Sequence, residues 1–91
     1  MPRRSQKQYF TYILQCRDGS YYTGHTTNIE RRMQEHNSGI GGRYTRSRLP
    51  VKLVLTERHQ TRKEAIKREL EIKKLSRRDK RKLIAVKVTE S

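Results

Sequence analysis

The N-terminal part of the chain carries the pattern of a β-hairpin, and this hairpin constrains how the rest of so short a chain can fold. Residues 9–16 (YFTYILQC) are rich in aromatic and β-branched side chains, which favour strands. Residues 17–20 (RDGS) contain the Asp-Gly pair that is typical of tight hairpin turns, and residues 21–25 return as the second strand. A short apolar run at 51–56, directly after Pro50, predicts a third strand.

Three helices are predicted by one repeated capping pattern, in which a hydroxyl is followed three residues later by a carboxylate. The pattern occurs at Thr27-x-x-Glu30, Thr61-x-x-Glu64 and Ser76-x-x-Asp79. It predicts helices at about 28–38, 62–75 and 77–86. The resulting order β-β-α-β-α-α is typical of an α+β fold (an α/β sandwich), with a three-stranded, mainly antiparallel sheet flanked by helices.

The other segments carry no periodic pattern. Residues 1–8 are predicted to be a basic, mobile lead-in, and residues 9–88 are predicted to form a single domain. The glycine-rich segment 38–43 (SGIGGR) is not a phosphate-binding P-loop, because no Gly-Lys-Ser or Gly-Lys-Thr follows it. We expect a mobile surface loop there.

The charge of the chain points to a polyanionic partner. Lys and Arg number 23 against 9 Asp and Glu, which gives a net charge of +14 on 91 residues. Such a charge repels itself in a compact fold, so nucleic acid, or less often an acidic membrane surface, is the expected partner. No run approaches the ~18 apolar residues of a membrane span, and we expect no membrane association. The single Cys16 excludes an internal disulfide and is typical of a reducing compartment, which predicts a cytoplasmic or nucleoid-associated protein.

One carboxylate lies where an apolar residue is expected. Helical periodicity places Glu69 near the middle of the apolar face of the second predicted helix. That face is formed by Ala65, Ile66, Leu70, Ile72 and Leu75. A carboxylate in such a position is costly unless it pairs with a cation or binds a metal ion. Two interpretations follow, a buried ion pair with an arginine or a metal ligand.

A second group of polar residues lies on the first predicted helix and on the hairpin. Arg32 and His36 are four residues apart and share one helix face, where they are better suited to a phosphate than to a core. Tyr12 lies on a strand face that it shares with Phe10, Leu14 and Cys16, where a packed aromatic is the alternative interpretation.

The hairpin can bring Tyr12 and Tyr22 together only in one register. A two-residue turn would place them on opposite faces of the sheet, so a shared site requires a three-residue loop or a β-bulge. Tyr21 and Tyr22 face opposite sides, so only one of them can join Tyr12. Gly24, in the middle of the second strand, predicts the close approach of another backbone or of a ligand.

Taken together, these positions resemble the GIY-YIG nuclease family over about residues 9–75. In the first family word, Phe10-Thr11-Tyr12, only the tyrosine matches, whereas the second, Tyr22-Thr23-Gly24, matches at Tyr and Gly. Arg32 follows that glycine by eight residues, His36 stands where several members have a histidine, and Glu69 lies in a segment similar to the family's metal-binding motif. The closest likeness is to small stand-alone members. No asparagine follows Glu69, whereas many members have one late in the domain.

The resemblance implies a metal-dependent endonuclease that hydrolyses phosphodiester bonds in DNA, single-stranded or structured. Mg²⁺, or Mn²⁺, is held by Glu69 with water and phosphate oxygens as the other ligands. Tyr12 or Tyr22 acts as the general base or relays to it, and nearby cations are expected to lower its pKa. Arg32 neutralises charge in the transition state, and His36 shares the base work or orients the water. No obligate protein partner is implied.

Further basic residues are predicted to contact the nucleic-acid backbone. They are Arg43, Arg46, Arg48, Lys73, Arg77 and Arg78. Two alternatives remain at this point. The chain is a non-catalytic nucleic-acid-binding module on the same scaffold, or it is a basic structural or ribosome-associated protein. Only Mg²⁺-dependent strand cutting, lost on changing Glu69, separates these classes.

Overall fold

The computed structural model describes residues 8–90, and side chains for residues 8–87. The elements along the chain are β1 (Tyr9–Gln15), β2 (Tyr21–Thr26), α1 (Ile29–Asn37), α2 (Arg43–Arg46), β3 (Lys52–His59), α3 (Arg62–Lys73) and α4 (Arg77–Glu90). The sheet order is β2-β1-β3, and β1 runs antiparallel to both neighbours. The predicted α+β class and element order are confirmed, with the four-residue α2 as an addition. Residues 1–7 of the predicted lead-in lie outside the described residues.

The hairpin has a three-residue loop. The backbone N–H of Cys16 donates to the carbonyl of Ser20 at 2.8 Å, and Gly19 N–H donates back to the carbonyl of Cys16 at 2.9 Å. Gly19 has φ of +87°, a conformation that glycine adopts without steric cost. Asp18 Oδ1 accepts hydrogen bonds from the backbone N–H and the hydroxyl of Ser20, which fixes the turn.

This loop shifts the register by one residue relative to a two-residue turn, as predicted for a shared site. Leu14 pairs with Tyr22, and Tyr12 pairs with Gly24. Because directly paired residues project to the same face of a sheet, Tyr12 and Tyr22 lie on one face. Their ring centroids are 6.4 Å apart.

Helices cover both faces of the sheet. On one face Tyr12, Leu14, Cys16 and Val51 pack with Ile29 and Met33 of α1. On the other face Ile13, Leu55 and Ile72 of α3 pack with Leu83 and Ile84 of α4. Alternate side chains of β1 therefore contribute to two small cores. The helix α1 covers one core, and the helices α3 and α4 cover the other.

Two of the three predicted helix caps are present. Thr61 and Glu64 form the full capping box of α3, and the hydroxyl of Ser76 accepts the N–H of Asp79 at 3.1 Å. The prediction of Thr27 as the cap of α1 is wrong. Asn28 is the cap, because its side-chain oxygen accepts the N–H of Arg31 at 2.9 Å and Asn is among the strongest capping residues.

Other expectations also need correction. Leu70 is 53 % exposed, so the apolar face of α3 is narrower than its sequence predicts. β3 extends to His59, because it pairs with β1 as far as Tyr9. The segment predicted as a mobile surface loop is partly packed, since Gly41 is buried. Among residues 8–90 no helix is long and apolar enough to cross a membrane.

Candidate functional site

The hydroxyl of Tyr12 lies between an arginine and a histidine of α1. Tyr12 is 2 % exposed, and its Oη is 3.0 Å from His36 Nε2. The guanidinium of Arg32 donates from Nε to the same oxygen at 3.4 Å. The structure thus brings together a phenol, an imidazole and a guanidinium, as expected from the helix spacing of Arg32 and His36.

His36 is fully buried and held on both ring nitrogens. Its Nδ1 lies 2.9 Å from the hydroxyl oxygen of Thr45, on α2. The ring of Tyr22 packs edge-on against it, with centroids 5.4 Å apart. Burial lowers the pKa of His36, and the nearby charge of Arg32 lowers it further. His36 is therefore neutral near pH 7, and one of its nitrogens is available to accept a proton.

Two glycines make room for this arrangement. A Cβ at Gly24 would lie 2.6 Å from Tyr12 Oη and 2.8 Å from its Cζ, and a Cβ at Gly41 would lie 2.6 Å from His36 Cα. The neighbour of Gly24 is thus the ring of Tyr12, and the prediction of another backbone or a ligand there needs correction. Only glycine leaves space for the two rings at these points.

The guanidinium of Arg32 makes three hydrogen bonds and has further N–H groups that these bonds do not use. Besides Tyr12, it donates from Nη1 to Glu35 at 2.8 Å and from Nη2 to the carbonyl of Gly41 at 2.6 Å. A guanidinium has five N–H groups, so two are not used by these bonds. The side chain is 27 % exposed, and it can present those two to a phosphate.

The expected lowering of a tyrosine pKa does not hold for Tyr12. Burial raises its pKa, and the hydrogen bond from Arg32 opposes this only in part. The negative charge of Glu69 adds a smaller rise. Tyr12 is therefore a neutral phenol near pH 7, because the cost of burying a phenolate exceeds the help from one guanidinium.

Glu69 is held on α3 by two partners. Its carboxylate is 13 % exposed and contacts His25 Nδ1 at 2.5 Å and Lys73 Nζ at 2.7 Å. Burial alone would raise its pKa, but the hydrogen bonds from Lys73 and His25 lower it overall. Glu69 is thus an ionised carboxylate near pH 7. Its partners are a lysine and a histidine, and the interpretation of an arginine pair needs correction.

Glu69 lies on the opposite face of the sheet from Tyr12. His25 pairs with Thr11, whose hydroxyl donates to the carbonyl of Ala65 on α3 at 2.8 Å. His25 therefore projects to the α3 face, whereas Tyr12 lies over Gly24 on the α1 face. The charge of Glu69 nevertheless affects the pKa of Tyr12, although the two side chains lie on opposite faces of the sheet, at its edge strand β2. No hydrogen bond joins them within the described part of the chain.

Sequence comparison identifies the family to which this arrangement belongs. A sequence model of the GIY-YIG catalytic domain matches residues 8–83. The chain belongs to the GIY-YIG family. The predicted resemblance to this family is thus confirmed.

The relatives of this GIY-YIG protein are small proteins of similar length. A UPF0213 protein of Natronomonas pharaonis is 52 % identical over 77 residues, covering 85 % of this chain and 91 % of the relative. The solution NMR structure of the UPF0213 protein from Bacillus halodurans has a TM-score of 0.59 at 48 % identity, covering 88 % of this chain and 85 % of that one. A protein from E. faecalis, also solved by NMR, has a TM-score of 0.64 at 45 % identity, covering 93 % and 91 %.

The donor set of this GIY-YIG domain suits only one kind of metal site. The described residues contain no group of three or more His, Cys, Asp or Glu side chains that could enclose an ion. Mg²⁺ is commonly bound by one or two carboxylates, with water and substrate phosphates as the other ligands. Glu69, ionised and partly exposed, fits that role, so a metal ion here would share its coordination with the substrate.

The six basic residues predicted to contact nucleic acid fall into two groups. Arg43, Arg46 and Arg78 are exposed, and no hydrogen bond or ion pair engages their side chains among residues 8–87. The other three have structural contacts. Arg48 pairs with Asp18 at 3.2 Å and stacks over the ring of Tyr44, Lys73 pairs with Glu69, and Arg77 lies over the ring of Tyr21.

Two site residues are missing from the sequence-based predictions. His25 directly follows Gly24, and strand alternation places it on the face opposite the tyrosines. Its partner, Glu69 on α3, is 44 residues away in the sequence, so local patterns do not predict this contact. Thr45 lies in a segment without apolar periodicity, so nothing in the sequence predicts α2 or its approach to His36. The available signal for His25 was an imidazole directly after the second family word.

Proposed function

We propose that this protein is a metal-dependent endonuclease that hydrolyses phosphodiester bonds in nucleic acid, with DNA as the favoured substrate and residues 9–88 as its single domain. One observation carries the proposal. A neutral phenol, that of Tyr12, contacts both a neutral imidazole and a guanidinium with unused donors. An ionised carboxylate lies close enough to affect the pKa of that phenol. This combination suits proton transfer beside a phosphate better than it suits packing.

In the proposed mechanism, Tyr12 relays a proton. The attacking water gives a proton to Tyr12 Oη as the phenol gives its own proton to Nε2 of His36, so that the phenol stays neutral and His36 becomes an imidazolium. The raised pKa of Tyr12 favours this relay over a standing phenolate. Tyr22 has no hydrogen bond to His36 or Arg32 among residues 8–87, so its ring closes the site beside the relay.

Arg32 and Glu69 act on the phosphate side. The two unused N–H groups of Arg32 suit bidentate contact with phosphate oxygens and stabilise the charge that builds up in the transition state. Mg²⁺ or Mn²⁺ bound at Glu69 would polarise the scissile phosphate and stabilise the leaving oxygen. The exposed arginines Arg43, Arg46 and Arg78 are proposed to add contacts to the substrate backbone.

The test is a cleavage assay with matched variants. Wild-type protein is incubated with labelled single-stranded, duplex and flap DNA and with RNA, in Mg²⁺, Mn²⁺ or EDTA. Cutting should need the metal, and Glu69→Ala should abolish cutting while DNA binding stays equal or becomes slightly tighter. Glu71→Ala on the same helix, where Glu71 is 51 % exposed and pairs with Arg68, is the control and should cut normally.

Thermal melting separates a chemical role of Glu69 from a structural one. Loss of a truly buried ion pair would destabilise the fold by about 3–5 kcal/mol. The partners of Glu69 are 37 % and 49 % exposed, so we expect a loss of about 1 kcal/mol or less. A folded Glu69→Ala protein that still cuts with Mg²⁺ would refute the metal-ligand assignment.

One observation favours a second candidate, a nucleic-acid-binding module without turnover. No asparagine follows Glu69, although many family members have one late in the domain. Such a module would bind DNA with the salt dependence expected of a chain of charge +14, but would leave every substrate intact with either metal ion.

A further inference from the structure

We propose that Thr45 is a positioning residue of this site, whose hydroxyl accepts the Nδ1 hydrogen of His36 and thereby keeps Nε2 unprotonated and directed at the hydroxyl of Tyr12. The inference rests on the proposed function, because it assigns the atom of His36 that receives the proton from Tyr12. Thr45 belongs to the four-residue helix α2, outside both family words and outside the first helix.

The hydrogen bonds form one continuous chain. Tyr12 Oη lies 3.0 Å from His36 Nε2, and His36 Nδ1 lies 2.9 Å from Thr45 Oγ1. The three residues are 2 %, 0 % and 1 % exposed, so bulk water does not compete for these bonds. A neutral imidazole carries one ring hydrogen, and the partners of its two nitrogens decide which nitrogen holds it.

The acidities of the two hydroxyls decide the direction of the chain. A phenol has a pKa of about 10 and is a far stronger donor than the aliphatic hydroxyl of threonine. The donation from Arg32 Nε to Tyr12 Oη polarises that phenol further. Tyr12 therefore donates a hydrogen bond to Nε2. The N–H at Nδ1 donates to the hydroxyl oxygen of Thr45, which is the better acceptor of the two oxygens.

Thr45 is held from several sides, as a positioning group must be. The N–H of Arg48 donates to the Thr45 carbonyl at 2.9 Å, and Arg48 also binds Asp18 in the hairpin loop. The neighbouring Tyr44 packs edge-on against Tyr22, with centroids 6.0 Å apart. The helix α2 is thus fastened to the hairpin that carries the tyrosines, and this fixes the distance from Thr45 to His36.

The chain offers a matched control on the opposite face of the sheet. Thr11 is fully buried, and its hydroxyl oxygen lies 3.1 Å from Nε2 of His59. Thr11→Val therefore also removes a buried threonine–histidine contact, together with a hydrogen bond to Ala65 of α3, but it leaves the surroundings of His36 unchanged. Thr45→Val removes the acceptor of His36 with little change of shape, and Thr45→Ser restores a hydroxyl at the same place.

The experiment combines histidine NMR with single-turnover cleavage. In ¹⁵N-labelled wild-type protein, long-range ¹H–¹⁵N spectra at neutral pH should show His36 with the hydrogen on Nδ1. Thr45→Val should mix or reverse the tautomers and slow single-turnover cutting by about 10- to 100-fold, the range known for the orienting partners of metal-bound histidines, with DNA affinity unchanged. Thr45→Ser should restore both readouts, and Thr11→Val should leave the tautomer of His36 unchanged.

Two results would overturn the proposal. One is a wild-type His36 with its hydrogen on Nε2, a measurement that needs no variant and no activity. The other is a Thr45→Val protein that keeps the wild-type tautomer or cuts within twofold of the wild-type rate. If the wild-type protein cuts no substrate, the proposed nuclease function fails, while the tautomers of wild-type, Thr45→Ser and Thr45→Val protein still decide the role of Thr45.

Discussion

Replacing Gly24 with alanine tests the packing that places the Tyr12 hydroxyl. The new Cβ would lie 2.6 Å from Oη and 2.8 Å from Cζ of Tyr12, and 3.2 Å from Cε2 of Tyr22. Optimal contacts between such atoms are about 3.5–4.0 Å, so the ring of Tyr12 must move by roughly 0.7 Å or more. That ring is rigid and 2 % exposed, so it cannot swing into solvent.

The expected loss of stability follows from two opposing terms. Overpacking of a filled core costs typically about 1–3 kcal/mol. Replacing glycine by alanine within a strand returns about 0.5–1 kcal/mol, because the unfolded chain becomes less flexible. We therefore expect Gly24→Ala to lower the free energy of unfolding by about 1–2 kcal/mol. The displaced hydroxyl should also lose its hydrogen bond to His36 and slow single-turnover cutting by tenfold or more, in line with the loss of a positioned proton-transfer group.

Urea denaturation and cleavage, measured on the same samples, check both parts. Gly39→Ala is the matched control, because Gly39 has open space around its Cα and loses stability only through its φ of +89°. It should lose about 1 kcal/mol and cut normally. A Gly24→Ala protein as stable and as active as the wild type would refute the argument that the bare Cα of Gly24 is what seats Tyr12.

Three further predictions concern the core, the pH dependence and the basic surface. Thr23 has a buried hydroxyl oxygen without a hydrogen-bond partner among the described residues. Thr23→Val should therefore raise the free energy of unfolding, measured in urea, by about 1–2 kcal/mol. A lower free energy of unfolding would show that the hydroxyl has a partner. The pKa of His36 is lower in the folded state, so the unfolded chain binds more protons below about pH 6.5. The free energy of unfolding should therefore fall as the pH drops below that value, by at most about 1.4 kcal/mol per pH unit. His36→Asn should remove this contribution to the pH dependence, and an unchanged pH dependence would contradict the assignment. Arg32→Ala should slow single-turnover cutting by a factor of about 10²–10³ with little effect on DNA binding. Arg78→Ala should only weaken binding and reduce the slope of log K against log salt concentration by about one. Equal effects on the cutting rate would make Arg32 an ordinary member of the basic surface.

The sequence predicted the tyrosine half of the site well because local rules govern it. Strand alternation and the length of the hairpin loop place Tyr12 and Tyr22 on one face, and a four-residue helical spacing places Arg32 and His36 beside them. Each of these relations depends on neighbours within one hairpin or one helix turn. Such short-range geometry can be worked out before any tertiary contact is known.

The remaining features depend on contacts between distant segments. The contact of Glu69 with His25 joins α3 to the edge strand, and the contact of Thr45 with His36 depends on a short helix without apolar periodicity. Leu70 has the chemistry of a core residue but lies beyond the edge of the face that α3 buries. The raised pKa of Tyr12 also follows only from the depth at which the ring is buried.

The two halves of the candidate site are positioned by cores on opposite faces of the sheet. The phenol of Tyr12 packs in the cluster with Leu14 and Val51, whereas Glu69 lies on α3, which packs against Ile13 through Ile72. The proposed proton transfer and the proposed metal site thus depend on two different cores, which share the strands of one sheet. A substitution that disturbs one core should therefore impair one of these proposed roles while the other, and the fold, remain in place.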